Sequence, residues 1–457
     1  MAGTLKRTLR TRDLLLIVIG TVIGSGIFVV PGAVLRQTDG RVGVALLVWL
    51  VAGVLSLLGA LTYAELGAAK PSAGGLYAYI RDAFGPLPAF LYGWATFFVI
   101  STGSAATLAV AFAGYLDQLV SIGPMTSKLV AVLMIAVVAV VNVRGARQGA
   151  DVQNWGTVIK AGAIVLLSVM LLVSGGGLEE ARLAGLWPDA VSGSVLSGVG
   201  LAVLGVLWAY EGWQYVTFSA GEARDPQRTL PVAIIAGTAT LIGIYLLANV
   251  GYIAALGPEN AAATDRIAAE AAGTLFGPMA GKLVALVILV SMFSATNGLA
   301  LTSPRLYFAM SRDGLFFRRL AEVHPRFGTP AFAIVASSIW AAVLAVSGTF
   351  EQLLTYVVFA GWIFYALGAL SVFVFRRREP DRVRPFGVPW YPVTPLLFVA
   401  AAAAIVINTL VVQPVQSLLG LGAVFLGLPA YFIWRARSKL VHRSEEIAKP
   451  PDDKQDL

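Results

Sequence analysis

Two kinds of reactive side chain are almost absent from this chain. Its 457 residues include no cysteine and only two histidines, His324 and His442, which both lie in charged stretches. The lack of cysteine excludes disulfides and cysteine metal ligands. Two isolated histidines outside the apolar runs argue against a histidine metal site or a histidine-based triad. The sequence therefore predicts no metal and no cofactor.

Charge is also scarce. Only 13% of the residues are charged, whereas a soluble domain has about 25%, and 58% are hydrophobic with a mean hydropathy of +0.79. This composition indicates a polytopic membrane protein. The first apolar run continues through Pro31 without a cleavage region, so it is interpreted as a retained span and not as a secretory signal.

A helix needs about 20 apolar residues to cross the hydrocarbon of a bilayer. On that rule the sequence predicts an all-α integral membrane protein with twelve transmembrane helices, here called spans 1 to 12. Spans 1 to 6 are residues 13–36, 42–69, 86–116, 127–143, 152–174 and 195–221. Spans 7 to 12 are residues 231–256, 280–311, 331–348, 351–375, 391–412 and 415–435. Residues 1–12 and 436–457 are predicted to be short polar tails.

The basic residues are distributed unevenly between the two sides of this topology. With the N-terminus in the cytoplasm, 26 of the 33 Lys and Arg residues fall in cytoplasmic tails and loops, where Arg305 is counted with the loop at residues 305–330 that follows span 8. Another 6 fall on the other side, and Lys160 alone lies within a span. The positive-inside rule then predicts that both tails are cytoplasmic. The net charge of +8 follows from topology, so membrane lipid is the expected surroundings and no nucleic acid partner is predicted.

Spans 1 and 6 are unusual membrane helices. Span 1 contains GTVIGSGIFVVPG (residues 20–32), and each interior glycine costs a helix about 1 kcal/mol relative to alanine. Span 6 has the Glu211-Gly212 pair at its centre. Two interrupted helices five spans apart are typical of an inverted five-helix repeat.

Unwound backbone is tolerated at membrane depth where it lines a cavity and its polar groups find a partner. Unwinding at residues 24–26 would free N–H groups at a helix start, which suit a carboxylate. Unwinding at residues 208–212 would free carbonyls that suit an ammonium group. Together the breaks predict a site for an α-amino acid. The alternative is close helix packing, because Gly20 and Gly24 have small-xxx-small spacing.

Several motifs occur in the order and spacing of a known family. They include IGTVIGSGIFVVPGAVL in span 1, YAELGAAKPSAGG after span 2, VQNWGTVIK in span 5 and WAYEGWQYVTFSAGEARDPQRTLPVAI through span 6. Over about residues 10–435 the chain resembles the amino acid–polyamine–organocation superfamily, and more narrowly the L-type amino acid transporters. The resemblance implies the leucine-transporter fold. Its ten-helix core would be residues 13–375, with inverted repeats at 13–174 and 195–375, followed by two helices at 391–435.

The resemblance also implies substrate-binding residues at the two breaks. The substrate carboxylate would meet N–H groups of span 1, and its ammonium would meet carbonyls of both spans. Trp208 matches the aromatic residue that closes over the substrate as a gate. The predicted set is Val22, Gly24, Ser25, Gly26, Trp208, Ala209, Glu211 and Gly212.

Lys160 is a further candidate. A cation at the centre of a membrane helix costs about 2.5–3.5 kcal/mol on insertion scales, so it is normally functional or paired. Lys160 lies about two turns inside span 5, which argues against snorkelling. The resemblance implies that its ammonium replaces a sodium ion and links spans 1, 5 and 8. A hydroxyl expected in span 8 aligns with Ala295, and Ser294, Thr296 and Asn297 are the supporting candidates.

Glu211 departs from the small residue that animal members of the family commonly have. Its carboxylate could bind the substrate ammonium, carry a proton or make a structural hydrogen bond. Gly361, which precedes Trp362 in span 10, is a candidate for shaping the pocket. Glu65, near the end of span 2, is expected to anchor the loop between spans 2 and 3.

These features predict a secondary amino acid transporter of a prokaryotic inner membrane, and the resemblance implies that it exchanges neutral L-amino acids without sodium. In its alternating access, spans 1, 2, 6 and 7 would move against spans 3, 4, 8 and 9. The alternatives are proton-coupled symport and a transporter-like sensor. An enzyme is not predicted, because the spans offer almost no convergent acids or bases, and no GxxxxGK[ST] motif provides an ATP motor. The family's animal members bond a glycoprotein through cysteine, and this cysteine-free chain is expected to have no disulfide-linked heavy chain.

Overall fold

The structure is a computed structural model that describes residues 7–183, 185–188, 190 and 193–436. Within these ranges the ordered elements are helices, with one isolated parallel bridge between Leu9 and Ala223. Nearly all of the predicted C-terminal tail (residues 437–457) lies outside the described residues, as do residues 1–6.

Long apolar helices build the molecule. Spans 1 to 6 are formed by Thr11–Val22 with Gly26–Gln37, Val42–Ala69, Pro86–Ala95 with Ser101–Val120, Pro124–Arg144, Ala146–Ser174, and Gly193–Ala209. Spans 7 to 12 are formed by Pro226–Ala263, Pro278–Arg312, Ala331–Ser347, Phe350–Arg378, Val393–Val412, and Pro414–Phe425. Shorter connecting helices are Leu76–Phe84, Gly177–Leu183, Ile267–Phe276 and the 3-10 turn Arg318–Ala321.

Helix length and composition identify ten or eleven of the twelve predicted spans in the described chain. Ten helical segments of the described chain are long and apolar enough to cross a membrane, and the bent pair in span 1 makes up to eleven. The remaining predicted span is Ala331–Ser347, an apolar helix of 17 residues. At 1.5 Å per residue it measures about 26 Å, somewhat less than the hydrocarbon thickness of about 30 Å. It packs against spans 3 and 4.

Both predicted interruptions are present. Span 1 bends by 42° between Thr11–Val22 and Gly26–Gln37. Span 6 stays helical through Ala209, which is later than the sequence predicts, and resumes as the 3-10 helix Trp213–Glu222. The turn centres on Gly212 because its φ of +128° is a conformation that side-chain-bearing residues rarely adopt. Span 3 is interrupted more mildly, by a π-helical turn at Thr96–Ile100.

The spans pack as two groups around these breaks. Span 7 lies along spans 1, 2 and 5, while spans 3, 4, 8 and 9 pack against one another. Large apolar side chains cover the outside of the bundle, as membrane-facing surfaces require. Examples are Leu50, Leu129, Leu166, Leu283 and Leu397.

Two charged residues have positions that the sequence did not predict. Arg305 was assigned to the loop after span 8, but it lies inside the helix Pro278–Arg312 and is fully buried against Glu222, with Nε 2.9 Å from Oε2. Lys160 is therefore not the only cation within a span. Glu65 accepts hydrogen bonds from Arg376 at 2.6 and 2.9 Å and from the Val388 N–H at 2.7 Å. Arg376 lies in the last turn of span 10 and Val388 lies in the loop that follows. Glu65 therefore anchors the loop between spans 10 and 11, whereas the sequence predicts that it anchors the loop between spans 2 and 3.

Candidate functional site

The break in span 1 presents unpaired hydrogen-bond donors. The N–H groups of Gly24 and Ser25 have no acceptor among the described residues, and Gly26 begins a helix whose first N–H groups cannot bond within that helix. The buried Ser25 hydroxyl also has no hydrogen-bond partner in the described chain. Because the positive end of the helix dipole adds to these donors, the break is suited to an anionic group.

Glycine allows the break to lie close to its neighbours. A Cβ atom at Gly26 would come within 2.5 Å of the Ala209 Cα in span 6. A Cβ at Gly24 would come within 2.9 Å of the Leu108 side chain in span 3. The two broken helices therefore touch through backbone, and a larger residue at position 26 would push them apart.

Lys160 crosses from span 5 to the same break. Its side chain is fully buried, and Nζ donates to the carbonyl oxygens of Gly20 at 2.6 Å, Ile23 at 2.5 Å and Ser291 at 3.3 Å. These acceptors belong to spans 1 and 8. A buried cation needs such partners, and the ammonium joins the three spans in the manner of a coordinated metal ion.

The span 8 hydroxyl that faces this break is Ser291. Its Oγ donates to the carbonyl of Gly24 at 3.0 Å and lies 3.2 Å from that of Ile23. Ser291 precedes Ala295 by four residues, so the two share a helix face. The sequence signal for Ser291 is therefore its position one helical turn before Ala295, on the same face of span 8.

The supporting candidates of span 8 point elsewhere. The Ser294 hydroxyl is buried without a hydrogen bond, and Thr296 donates to the Met292 carbonyl within its own helix. Asn297 donates to the Gly149 carbonyl at 2.9 Å and accepts from Asn142 at 2.8 Å. Asn297 thus ties together spans 4, 5 and 8.

Tyr245 of span 7 joins the two breaks. Its hydroxyl lies 3.2 Å from the Val22 carbonyl and 3.0 Å from the Ala209 carbonyl. The Trp208 carbonyl accepts the Glu211 N–H at 3.0 Å. The carbonyls expected to receive an ammonium group therefore have protein partners here, and Tyr245 was not predicted as part of the site.

Glu211 is held by three donors on one of its oxygens. Oε1 accepts from Gln214 at 2.6 Å, from the Tyr215 hydroxyl at 3.2 Å and from the Tyr365 hydroxyl. Within the described residues Oε2 makes no hydrogen bond, and the side chain lines the central cavity. Gly361 lies one turn before Tyr365, where a Cβ would come within 3.0 Å of that ring.

A small cavity separates the two breaks. It measures about 20 Å³, which is room for one water molecule, so an amino acid can enter only if the surrounding helices move. Trp208 lies in its wall with 6% of its surface exposed. Of the predicted set, Ala209 and Gly212 lie just outside the wall. The lining is Thr21, Val22, Gly24, Ser25, Gly26, Ser104, Leu108, Trp208, Glu211, Tyr215 and Leu299.

Two broken membrane helices that meet around a closed polar cavity are the architecture of a secondary transporter. Comparison with known families agrees with this class. The chain matches the amino acid permease family over residues 9–427 and belongs to it, as an L-type-like member of the amino acid–polyamine–organocation superfamily. The predicted family and transporter fold are confirmed, and the family and its members are transporters and not enzymes.

Several relatives match nearly the whole chain. The serine/threonine exchanger SteT of Bacillus subtilis is 32% identical over 443 residues, covering 95% of this chain and 98% of its own. The human b(0,+)-type amino acid transporter 1 is 33% identical, covering 92% of this chain and 86% of its own. The human cystine/glutamate transporter is 33% identical, covering 92% and 83%. Their names differ in substrate, so membership alone does not define the preferred side chain.

Proposed function

We propose that this protein exchanges neutral L-amino acids across the membrane without sodium. The observation that carries the proposal is the buried Lys160 ammonium, held by carbonyls of spans 1 and 8 beside the unpaired donors of the span 1 break. A fixed cation at this point orders the break permanently. Transport then needs no bound sodium to complete the site.

The two ends of an α-amino acid find complementary groups around the central cavity. The carboxylate would accept from the N–H groups of Ser25 and Gly26, with Gly24 allowing its close approach. The ammonium would lie near the carbonyls of Val22 and of span 6, where it replaces the Tyr245 hydroxyl as donor. The free Oε2 of Glu211 supplies the opposite charge, and Gly212 allows the turn that presents it.

Alternating access follows from the small size of the cavity. Because about 20 Å³ cannot hold an amino acid, the group of spans 1, 2, 6 and 7 would tilt against spans 3, 4, 8 and 9. Trp208 would act as the gate, since it lies in the cavity wall and a large aromatic ring can exclude water without burying a new charge. Ser294, Thr296 and Asn297 would stiffen the second group, and Gly361 would leave space for Tyr365.

The size and polarity of the site favour small and medium neutral side chains. The bulky side chains of Trp208 and Leu108 lie in the wall, and Ser104 adds a hydroxyl. The serine/threonine exchanger among the relatives is consistent with this substrate class. We place the protein in a prokaryotic inner membrane with both termini cytoplasmic, acting without a disulfide-linked heavy chain because it has no cysteine.

Proton-coupled symport is the alternative that a specific observation supports. Glu211 is a carboxylate in the wall of the cavity, held by two tyrosine hydroxyls and an amide, and such a group can take up and release a proton. In this case Glu211→Gln would abolish the pH dependence of transport. An unchanged pH profile in that variant would remove Glu211 as the proton carrier.

The deciding experiment is uptake of labelled neutral amino acids into proteoliposomes. One set is empty, a second is preloaded with unlabelled substrate, and a third is empty with an imposed proton gradient. Uptake confined to the preloaded vesicles supports exchange, and replacing sodium with potassium should leave its rate unchanged. Concentrative uptake under the proton gradient would establish symport instead. No transport in any set would contradict the proposal and favour a sensor.

A further inference from the structure

A second, larger cavity lies on the face opposite the N-terminal segment. It measures about 810 Å³ and is bounded by the second half of span 1, span 3 and the segment joining spans 7 and 8. Its wall begins one helical turn beyond the central cavity, since Val29 follows Gly26 and Ala111 follows Leu108 by three residues. We call it the outer vestibule, and a substrate arriving from this face would pass through it.

Two opposite charges in the wall of the outer vestibule have no ion-pair or side-chain hydrogen-bond partner among the described residues. Arg266 directly precedes the helix Ile267–Phe276, and Glu270 follows four residues later. Both side chains are exposed, and within the described residues neither makes an ion pair or a side-chain hydrogen bond. Opposite charges four residues apart commonly pair with each other when both lie in a helix, but Arg266 is the N-cap and lies outside it. Here both remain free to meet a ligand.

A buried hydroxyl in the same wall also lacks a partner. Tyr115 of span 3 is 6% exposed, and its hydroxyl makes no hydrogen bond within the part of the chain that the structure describes. Buried polar groups nearly always have a partner, so an exception needs an explanation. A polar ligand in the outer vestibule would provide one.

Arg36 joins this wall to the second half of span 1. Its guanidinium donates to the Ala262 carbonyl and to Asp265, each at 2.6 Å. The charge of Asp265 is therefore already compensated, which leaves Arg266 and Glu270 as the unpaired charges of the wall. Because the bond joins the loop to span 1, the two would move together when the central cavity opens.

We infer that the outer vestibule is a capture site for zwitterionic α-amino acids. The carboxylate of the ligand pairs with Arg266 and its ammonium pairs with Glu270, in a wall that also contains the unpartnered Tyr115. The site holds the substrate before the central cavity opens and so raises its local concentration at the gate. This inference rests on the proposed function, and it assigns a role to charges that the central site does not use.

The test uses the natural absence of cysteine. Glu270→Cys is treated with a membrane-impermeant thiol reagent that adds either an anionic sulfonate or a cationic ammonium. Uptake is measured in whole cells, which present the vestibule outward, and in inverted membrane vesicles, which present the opposite face.

We expect Glu270→Cys and Arg266→Ala to raise the half-saturation concentration for labelled serine in cells about tenfold, the equivalent of one lost charged contact. The maximal rate and the half-saturation in inverted vesicles stay unchanged.

Restoration of the charge is the decisive readout. The anionic reagent should restore the half-saturation of Glu270→Cys, whereas the cationic reagent should not. Glu259→Cys and Lys282→Ala are matched controls, because both residues are exposed charges near the same face outside the vestibule wall. Equal effects of the two reagents, equal shifts on both faces, or no shift would each overturn the capture site. A wild type that transports no amino acid would instead overturn the proposed function, and the capture site with it.

Discussion

At the scale of single residues, the centre of the molecule is organised by side chains that satisfy interrupted backbone. Lys160 and Ser291 donate hydrogen bonds to carbonyls of span 1, and Tyr245 lies within hydrogen-bond distance of a carbonyl at each break. Unpaired carbonyls at membrane depth would cost several kcal/mol each. These side chains therefore allow two broken helices to persist in a bilayer.

The first prediction concerns the fixed cation. Lys160→Ala should reduce exchange of labelled serine at least about tenfold, because three buried carbonyls lose a charged donor and an unsatisfied buried group costs about 1–3 kcal/mol. Exchange in proteoliposomes and substrate binding to purified protein both measure the effect. Lys282→Ala, an exposed lysine of span 8, should exchange like the wild type. Full exchange by Lys160→Ala would contradict the assigned role.

A second prediction concerns the donors around Glu211. Tyr365→Phe removes one of the three hydrogen bonds to Oε1, so the carboxylate is less well held and the half-saturation concentration should rise about tenfold, as for one lost bond to a charged group. Tyr356→Phe is the control in the same span, because Tyr356 lines a separate apolar cavity. A shift of the same size in both variants would show a general effect on span 10.

Some residues of the candidate site can be predicted from the sequence, and others cannot. Lys160 and the break glycines stand out because lysine and glycine are costly within a membrane helix. Tyr245 and Tyr365 do not stand out, since tyrosines are common in this chain and their hydroxyl positions depend on helix rotation. Tyr365 lies 154 residues from Glu211, and only the packed structure brings them together.

At the scale of helices, the breaks were predictable in kind but only partly in position. The interruption in span 1 lies where Gly24, Ser25 and Gly26 predict it. In span 6 the helix continues through Ala209, because Gly212 is the residue that accepts a positive φ and the turn forms around it. The unusual 3-10 stretch Trp213–Glu222 has no clear sequence signal, and tertiary packing decides it.

The contact between the two broken helices gives a third prediction. Gly26→Ala would place a Cβ about 2.5 Å from the Ala209 Cα, so the helices must separate and exchange should fall at least about tenfold, with overpacking costing about 1–3 kcal/mol. Gly162→Ala is the matched control, because its Cβ would meet no atom within 4 Å. Exchange rates and thermal midpoints measure both variants. Normal exchange by Gly26→Ala would show that close approach is not needed.

At the scale of the whole molecule, the face that carries the N-terminal segment is closed by a compact set of contacts. Leu9 bridges Ala223, and the Glu222 carbonyl accepts the N–H groups of Thr8 and Leu9 at 2.9 and 3.0 Å. The Glu222 side chain pairs with the buried Arg305 of span 8. These contacts join the end of span 6 to the opposite helix group, so this face can open only if they separate.

The buried pair yields the last prediction. Arg305→Met leaves Glu222 uncompensated in the interior, which should reduce the free energy of unfolding by about 3–5 kcal/mol. The double variant Arg305→Met with Glu222→Met should recover most of that loss, since it leaves no buried charge.

Because the pair also closes the face that carries the N-terminal segment, both variants should open access to the cavity. The measurement is modification of Ser104→Cys, in the cavity wall, by an impermeant thiol reagent added from that face. Arg228→Met, an exposed arginine nearby, should change neither quantity. Reduced stability of the single variant with no faster modification in either would mean that the pair stabilises the fold without closing the path.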